Sequence, residues 1–137
     1  MTKAILDTNV VFSGLLNPEG APALVLRLAT SRVFRCYVSD EILREYDEVL
    51  SRKRFALKER QIAKLMKMFR KTATVVLPRK KLSITADPDD NIFLECALEA
   101  RADYVVTGNL RHFPARFQDI RILGPQQFLT VLATAPR

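Results

Sequence analysis

The sequence predicts an α/β fold in which a parallel sheet is covered by helices on both faces. Short, largely apolar runs, Ala4-Ile5-Leu6, Phe34-Arg35-Cys36-Tyr37-Val38, Tyr104-Val105-Val106 and Ile120-Arg121-Ile122-Leu123, alternate along the chain with segments of helical periodicity. Runs that are apolar toward both faces suit strands packed beneath helices on each side, and helices between strands suit parallel pairing.

In chain order, Ala4–Leu6 reads as a buried strand ending in the polar turn Asp7-Thr8-Asn9, followed by a short helix over Val10–Leu16. Asn17-Pro18-Glu19-Gly20 breaks that helix, and Pro22 sits well in the first turn of the next, which runs to about Ser31. After the second strand, Ser39 is placed to cap a helix whose buried arc is Ile42, Leu43, Tyr46, Val49 and Leu50. A further helix from Glu59 to about Lys71 buries Ile62, Leu65, Met66 and Phe69, and Thr72–Leu77 is β-rich up to Pro78. Asp87-Pro88-Asp89-Asp90 opens a helix to about Ala100. Strand 104–106 then leads to the turn Thr107-Gly108-Asn109, and Gly124-Pro125 starts a C-terminal helix after the last strand. In such sheets ligands bind beyond the carboxyl ends of the strands, so chemistry is sought there.

The 137 residues read as one domain, 1–137, large enough to bury a core. A hydrophobic content of 48% excludes a disordered chain. The opening apolar run is too short for a signal peptide, and no run is long enough to span a membrane, so a soluble cytoplasmic protein with no membrane partner is expected. Cys36 and Cys96 match no close-spaced zinc or redox pattern and read as buried reduced thiols. The formal charge of +7 is uneven. Residues 51–82 hold 12 Lys/Arg against one acid, a local charge of +11, while the rest of the chain is −4. Within that arm Arg52, Lys53, Arg54, Arg60, Lys64, Lys67 and Lys71 are the candidates for gripping a nucleic-acid backbone. A solvated helix face is the plain alternative.

Three carboxylates stand out against their structural roles. Asp7 follows the first strand directly; it could cap the next helix, but Thr8 or Asn9 would serve equally. At about 100° per residue, Glu45 lies about 40° from Val49 at the border of its helix's apolar arc, whereas Glu41 and Glu48 point further toward solvent. A carboxylate beside a core face is penalised by desolvation unless paired or metal-bound. At the helix start, Asp87 suits the N-cap and Asp89 solvent, while Asp90 shares a face with Phe93, Leu94 and Ala97 and so turns toward the sheet. Asn109, at a second strand end, fits either turn chemistry or a neutral oxygen ligand. His112, the single histidine, reads as a surface residue. Three carboxylates on separate elements favour a hard cation, Mg²⁺ or Mn²⁺. No Gly-x-x-x-x-Gly-Lys-Ser/Thr loop supports nucleoside-triphosphate hydrolysis.

Taken in order, Ile5-Leu6-Asp7-Thr8-Asn9-Val10, Ser39 with Glu45-Tyr46 and Glu48-Val49-Leu50, Asp87-Pro88-Asp89-Asp90-Asn91 leading to Leu94-Glu95-Cys96-Ala97, and Ala102–Gly108 resemble the PIN-domain ribonucleases. The likeness is strongest to the VapC-like toxins of toxin–antitoxin pairs. It implies a three-layer α/β/α sandwich with a central, mainly parallel sheet, Mg²⁺ or Mn²⁺ dependence, cleavage of single-stranded or structured RNA, a homodimer and an antitoxin partner. It places Asp7, Glu45 and Asp90 at the family's acidic positions, Asp87 as a supplementary acid, and Thr8, Asn9 and Ser39 near the centre. Where many members carry an acid after the fourth strand, this chain carries Asn109, which implies a weakened second metal. The alternative is a catalytically weak PIN-like module that binds nucleic acid or a partner protein.

Overall fold

The computed structural model describes residues 1–52 and 57–135. The predicted strands form: β1 (Lys3–Leu6), β2 (Arg35–Val38), β4 (Tyr104–Val106) and β6 (Ile120–Leu123) pair in parallel. Two short strands edge the sheet, β3 (Thr74–Val75) parallel to β2 and β5 (Arg116–Phe117) antiparallel to β6, giving the order β3-β2-β1-β4-β6-β5. The β-rich stretch predicted over Thr72–Leu77 thus shrinks to two paired residues. Thr72 still belongs to the preceding helix, where its Oγ1 donates to the Met68 carbonyl. Val75 and Leu77 lie exposed at the sheet margin. The strand β5 was not predicted, being two residues long with an exposed arginine.

The helices are α1 (Thr8–Leu16), α2 (Ala21–Thr30), α3 (Asp40–Leu50), α4 (Glu59–Thr72), α5 (Pro88–Ala100) and α6 (Pro125–Thr134), with a 3₁₀ turn at Leu110–His112. Helix α1 starts at Thr8, two residues earlier than expected, so the chain turns from strand to helix within Asp7 itself. Helix α5 packs on β1, β2 and β4 and touches α3, while α2 contacts α1, α4 and α6. Ala4, Ile5, Leu6, Val105 and Val106 are fully buried between these layers. On the α6 side, Phe128 meets Phe34 and Tyr104 edge-on, at ring separations of 4.9 and 5.9 Å. Edge-to-face contacts of this kind add to the hydrophobic gain of burial. Cys36 and Cys96 are buried and free, and burial pushes the Cys36 thiol up to about 12. No helix among the described residues is long and apolar enough to cross a membrane.

From β1 the chain builds outward to β2 and β3 on one side, then resumes at β4 on the other. The order reverses between β1 and β4, the point at which an open α/β sheet leaves a crevice at its carboxyl edge. The register there pairs Leu6 with Val106. Parallel strands in that register bring the next residues, Asp7 and Thr107, side by side at the crevice.

Candidate active site

Asp7 occupies the N-cap position of α1 but makes no capping bond with its side chain. Its carboxylate turns instead across the crevice and accepts a 2.7 Å hydrogen bond from Thr107 Oγ1. The side chain is 5% exposed. Desolvation is the main reason its pKa rises from 3.8 to about 6; the charges of Asp90 and Glu45 push the same way, against the hydrogen bonds from Thr107 and Thr8. Thr107 was not among the predicted residues, yet its hydroxyl is the junction of this edge. It donates to Asp7 and accepts from Asn109 N at 3.0 Å and, more weakly, Asn9 Nδ2 at 3.4 Å.

Glu45 comes from mid-α3 and is half-buried. Its Oε2 accepts a 2.5 Å bond from Thr8 Oγ1, which ties it to the first residue of α1. The adjacent Tyr46 hydroxyl donates to the Leu6 carbonyl, at the last residue of β1. Sequence periodicity assigns Tyr46 to the core alone; the structure adds that its hydroxyl anchors α3 against the strand end bearing Asp7.

Asp90 stands in the first turn of α5, its backbone N–H bonded to the Asp87 carbonyl at 3.0 Å. Asp87 is the N-cap, with Oδ1 accepting from Asp89 N at 2.9 Å, and both Asp87 and Asp89 are exposed. The Asp90 side chain is 15% exposed and faces inward, as its shared face with Phe93 and Leu94 requires. Burial first, then the neighbouring charge of Asp87, raises its pKa, and His112 opposes the rise. His112 is exposed, as expected of a surface residue, but its Nδ1 lies 3.4 Å from Asp90 Oδ2 and its ring meets Asn109 Nδ2. The 3₁₀ turn carries it back over the site, a placement that no periodicity in the sequence announces.

The remaining predicted residues divide. Asn9 Oδ1 accepts from Gly108 N at 2.9 Å and so staples the turn after β4 to α1. Asn109 is half-buried beside Thr107 and His112. Ser39 is buried, and its hydroxyl caps α3 by accepting from Ile42 N. Arg60, Lys64, Lys67 and Lys71 lie exposed along α4, and Arg52 sits 3.7 Å from Glu48, one turn earlier. Lys53 and Arg54 lie outside the described residues.

Asp7 lies at the crevice, and the charges of Asp90 on α5 and Glu45 on α3 both act on it. Among the described residues no group of three or more His, Cys, Asp or Glu side chains forms a ready-made metal cage. The donor set still fits a hard cation in kind. It is all oxygen, and two of its carboxyls have raised proton affinity through burial and like charge, a condition that a divalent cation relieves. Chemically, such an edge can hold a phosphate-bound cation and an ordered water.

The PIN domain family model matches residues 3–111. An uncharacterized protein of Methanocaldococcus jannaschii is 33% identical over 110 residues, covering 78% of this chain and 70% of that protein. Among solved structures, DNA-bound VapBC from Salmonella typhimurium is similar with a TM-score of 0.63 at 23% identity, over 91% of this chain and 99% of that one. VapBC-1 from nontypeable Haemophilus influenzae gives 0.61 at 15% identity, over 91% and 99% of the two chains. VapBC2 from Rickettsia felis, bound to a DNA fragment from its promoter, gives 0.58 at 16% identity, over 90% and 98%. These structures share the fold of this chain.

Proposed function

The chain belongs to the PIN-domain family, and on that premise we propose that it is a metal-dependent endoribonuclease acting in the cytoplasm as the toxin of a toxin–antitoxin pair. The observation that carries the proposal is the buried carboxylate of Asp7 at the crevice between β1 and β4, on which the charges of Asp90 and Glu45 act. Asp7 and Asp90 would hold Mg²⁺ or Mn²⁺, with Glu45 completing the set or orienting the attacking water. The bound cation would supply charge neutralisation at the scissile phosphodiester and activation of that water.

The chain's own groups fill definite roles in this scheme. Thr107 orients the Asp7 carboxylate and Thr8 that of Glu45, through the two hydroxyl bonds already described. With a pKa of about 6, Asp7 is mostly ionised at neutral pH and open to a cation. His112 offers Asp90 a partner on its solvent side. The basic residues of α4, together with Arg52, Lys53 and Arg54, would draw the RNA backbone toward the crevice, so affinity should fall steeply with salt. Asn109 supplies a neutral oxygen where an acid would add charge, which favours one bound metal over two. The antitoxin's proposed docking place is the apolar groove of about 330 Å³ that Leu15 of α1, Leu26 of α2 and Leu65 and Met68 of α4 line. The similar structures being VapBC complexes supports that partner, and a homodimer completes the proposed assembly.

The test is cleavage of a single-stranded RNA in Mg²⁺. Wild type should cut and Asp7→Asn should not, with folding and RNA affinity intact in both. Retained cleavage in Asp7→Asn would overturn the site assignment. RNA binding without cleavage by wild type would favour the alternative, a catalytically weak binding module.

A further inference from the structure

The segment 76–87, between β3 and α5, has no regular secondary structure of its own, so its backbone amides need partners elsewhere. One stripe of α5 supplies them. Asn91, Glu95 and Glu99, spaced by four and therefore stacked on one helix face, accept in turn along the segment. Glu99 Oε1 takes Arg79 N at 3.1 Å, Glu95 Oε2 takes Leu82 N at 2.9 Å, and Asn91 Oδ1 takes Ile84 N and Thr85 N at 3.2 and 2.8 Å. The strap is laced antiparallel onto the helix and delivers the chain to Asp87 and Asp90.

Glu95 is the unusual member. Its side chain is 5% exposed, yet among the described residues Oε1 has no hydrogen-bond partner. A buried carboxylate oxygen left in that state is unfavourable, and its nearest compensation is Lys81 Nζ at 3.8 Å. The same ammonium lies 3.0 Å from Glu41 Oε2, on α3. Lys81 thus stands between two carboxylates on two different helices. Glu41 is one turn before Glu45 on α3, and Glu95 is five residues after Asp90 on α5. The two helices bridged by Lys81 are the two that carry acids of the site. An exposed lysine contributes little to stability through such pairs, so its value lies in geometry.

We infer that Lys81 is a positioning residue, a clasp joining α3 to α5 that sets the spacing of Glu45 and Asp90, with Glu95 as its buried anchor. The inference rests on the three acids forming the cation site proposed above, and its test separates the two. Lys81→Met removes the charge while keeping most of the side-chain bulk, Lys81→Arg restores the charge, and Glu95→Gln keeps an acceptor for Leu82 N but removes the charge facing Lys81. Amide hydrogen exchange and Mn²⁺ titration are measured on the full chain.

In Lys81→Met and Glu95→Gln, amides 82–90 should exchange faster while those of β1 and β4 stay protected. Mn²⁺ affinity should drop about tenfold or more, the scale on which groups supporting metal ligands act. Lys81→Arg should return both toward wild type. Unchanged exchange over 82–90 in Lys81→Met would overturn the clasp, and so would faster exchange with Mn²⁺ affinity intact. An Asp7→Asn control that binds Mn²⁺ as wild type does would instead sink the cation site, leaving the exchange result to decide the clasp alone.

Discussion

Asp7 is held in the folded protein against its own ionisation, and that yields a stability test needing no substrate. Its pKa is 3.8 ordinarily and about 6 in the folded chain. At roughly 1.4 kcal/mol per pH unit, the displacement corresponds to about 3 kcal/mol. The sign follows from where the proton sits. Below pH 3.8 the carboxyl is protonated in both folded and unfolded states and no penalty exists. Between 3.8 and 6 the unfolded chain ionises first, so the folded state loses ground as pH rises. Above 6 the full penalty is present. Asp7→Asn cannot ionise, but it keeps the shape and an oxygen that can accept from Thr107. It should match wild type near pH 4 and exceed it by up to about 3 kcal/mol at pH 7 to 8, a rise in Tm on the order of 10 °C. Thermal denaturation followed by circular dichroism in EDTA from pH 4 to 8 reads this directly. Added Mg²⁺ should then raise the Tm of wild type and not of the variant, since a ligand stabilises only the form it binds. A difference between the two proteins that is the same at every pH would refute the argument that burial and like charge strain Asp7.

Thr107→Val, which strips the hydroxyl from Asp7, Asn9 and Asn109 N at once, should destabilise by about 2 kcal/mol in urea denaturation at pH 7, and Thr107→Ser, which keeps the hydroxyl, should recover most of the loss. Thr8→Val leaves Glu45 Oε2 without its donor; cleavage should fall with a stability change of only about 1 kcal/mol, and Thr8→Ser should rescue it. Asn109→Asp restores an acid beside the crevice and should raise Mn²⁺ affinity or cleavage rate; unchanged titration and kinetics would show that the Asn does not limit the metal count.

The three acids stand out in the sequence as candidates because each breaks a local rule. Asp7 is a carboxylate where any cap would do, Glu45 borders a core arc, and Asp90 faces inward from a helix start whose capping Asp87 already performs. Ser39 is legible as a cap and serves as one. Thr107 and His112 are not legible, for a topological reason. Thr107 meets Asp7 only because β4 returns beside β1 a hundred residues later. His112 reaches Asp90 only through a three-residue 3₁₀ turn too short to show periodicity. The lacing of 79–85 onto α5 escapes notice for a related reason. Asn91, Glu95 and Glu99 form a polar stripe on a helix that is otherwise largely buried, and a polar stripe ordinarily signals solvent rather than a strap.

The most direct test of the central claim is anomalous diffraction from a crystal of this protein soaked in Mn²⁺. The account predicts one strong peak within coordination distance of carboxylate oxygens of Asp7 and Asp90, with Glu45 beside it or linked to it through water, and weak or no density at Asn109. A Mn²⁺ peak elsewhere on the molecule, with the crevice between β1 and β4 empty, would contradict it.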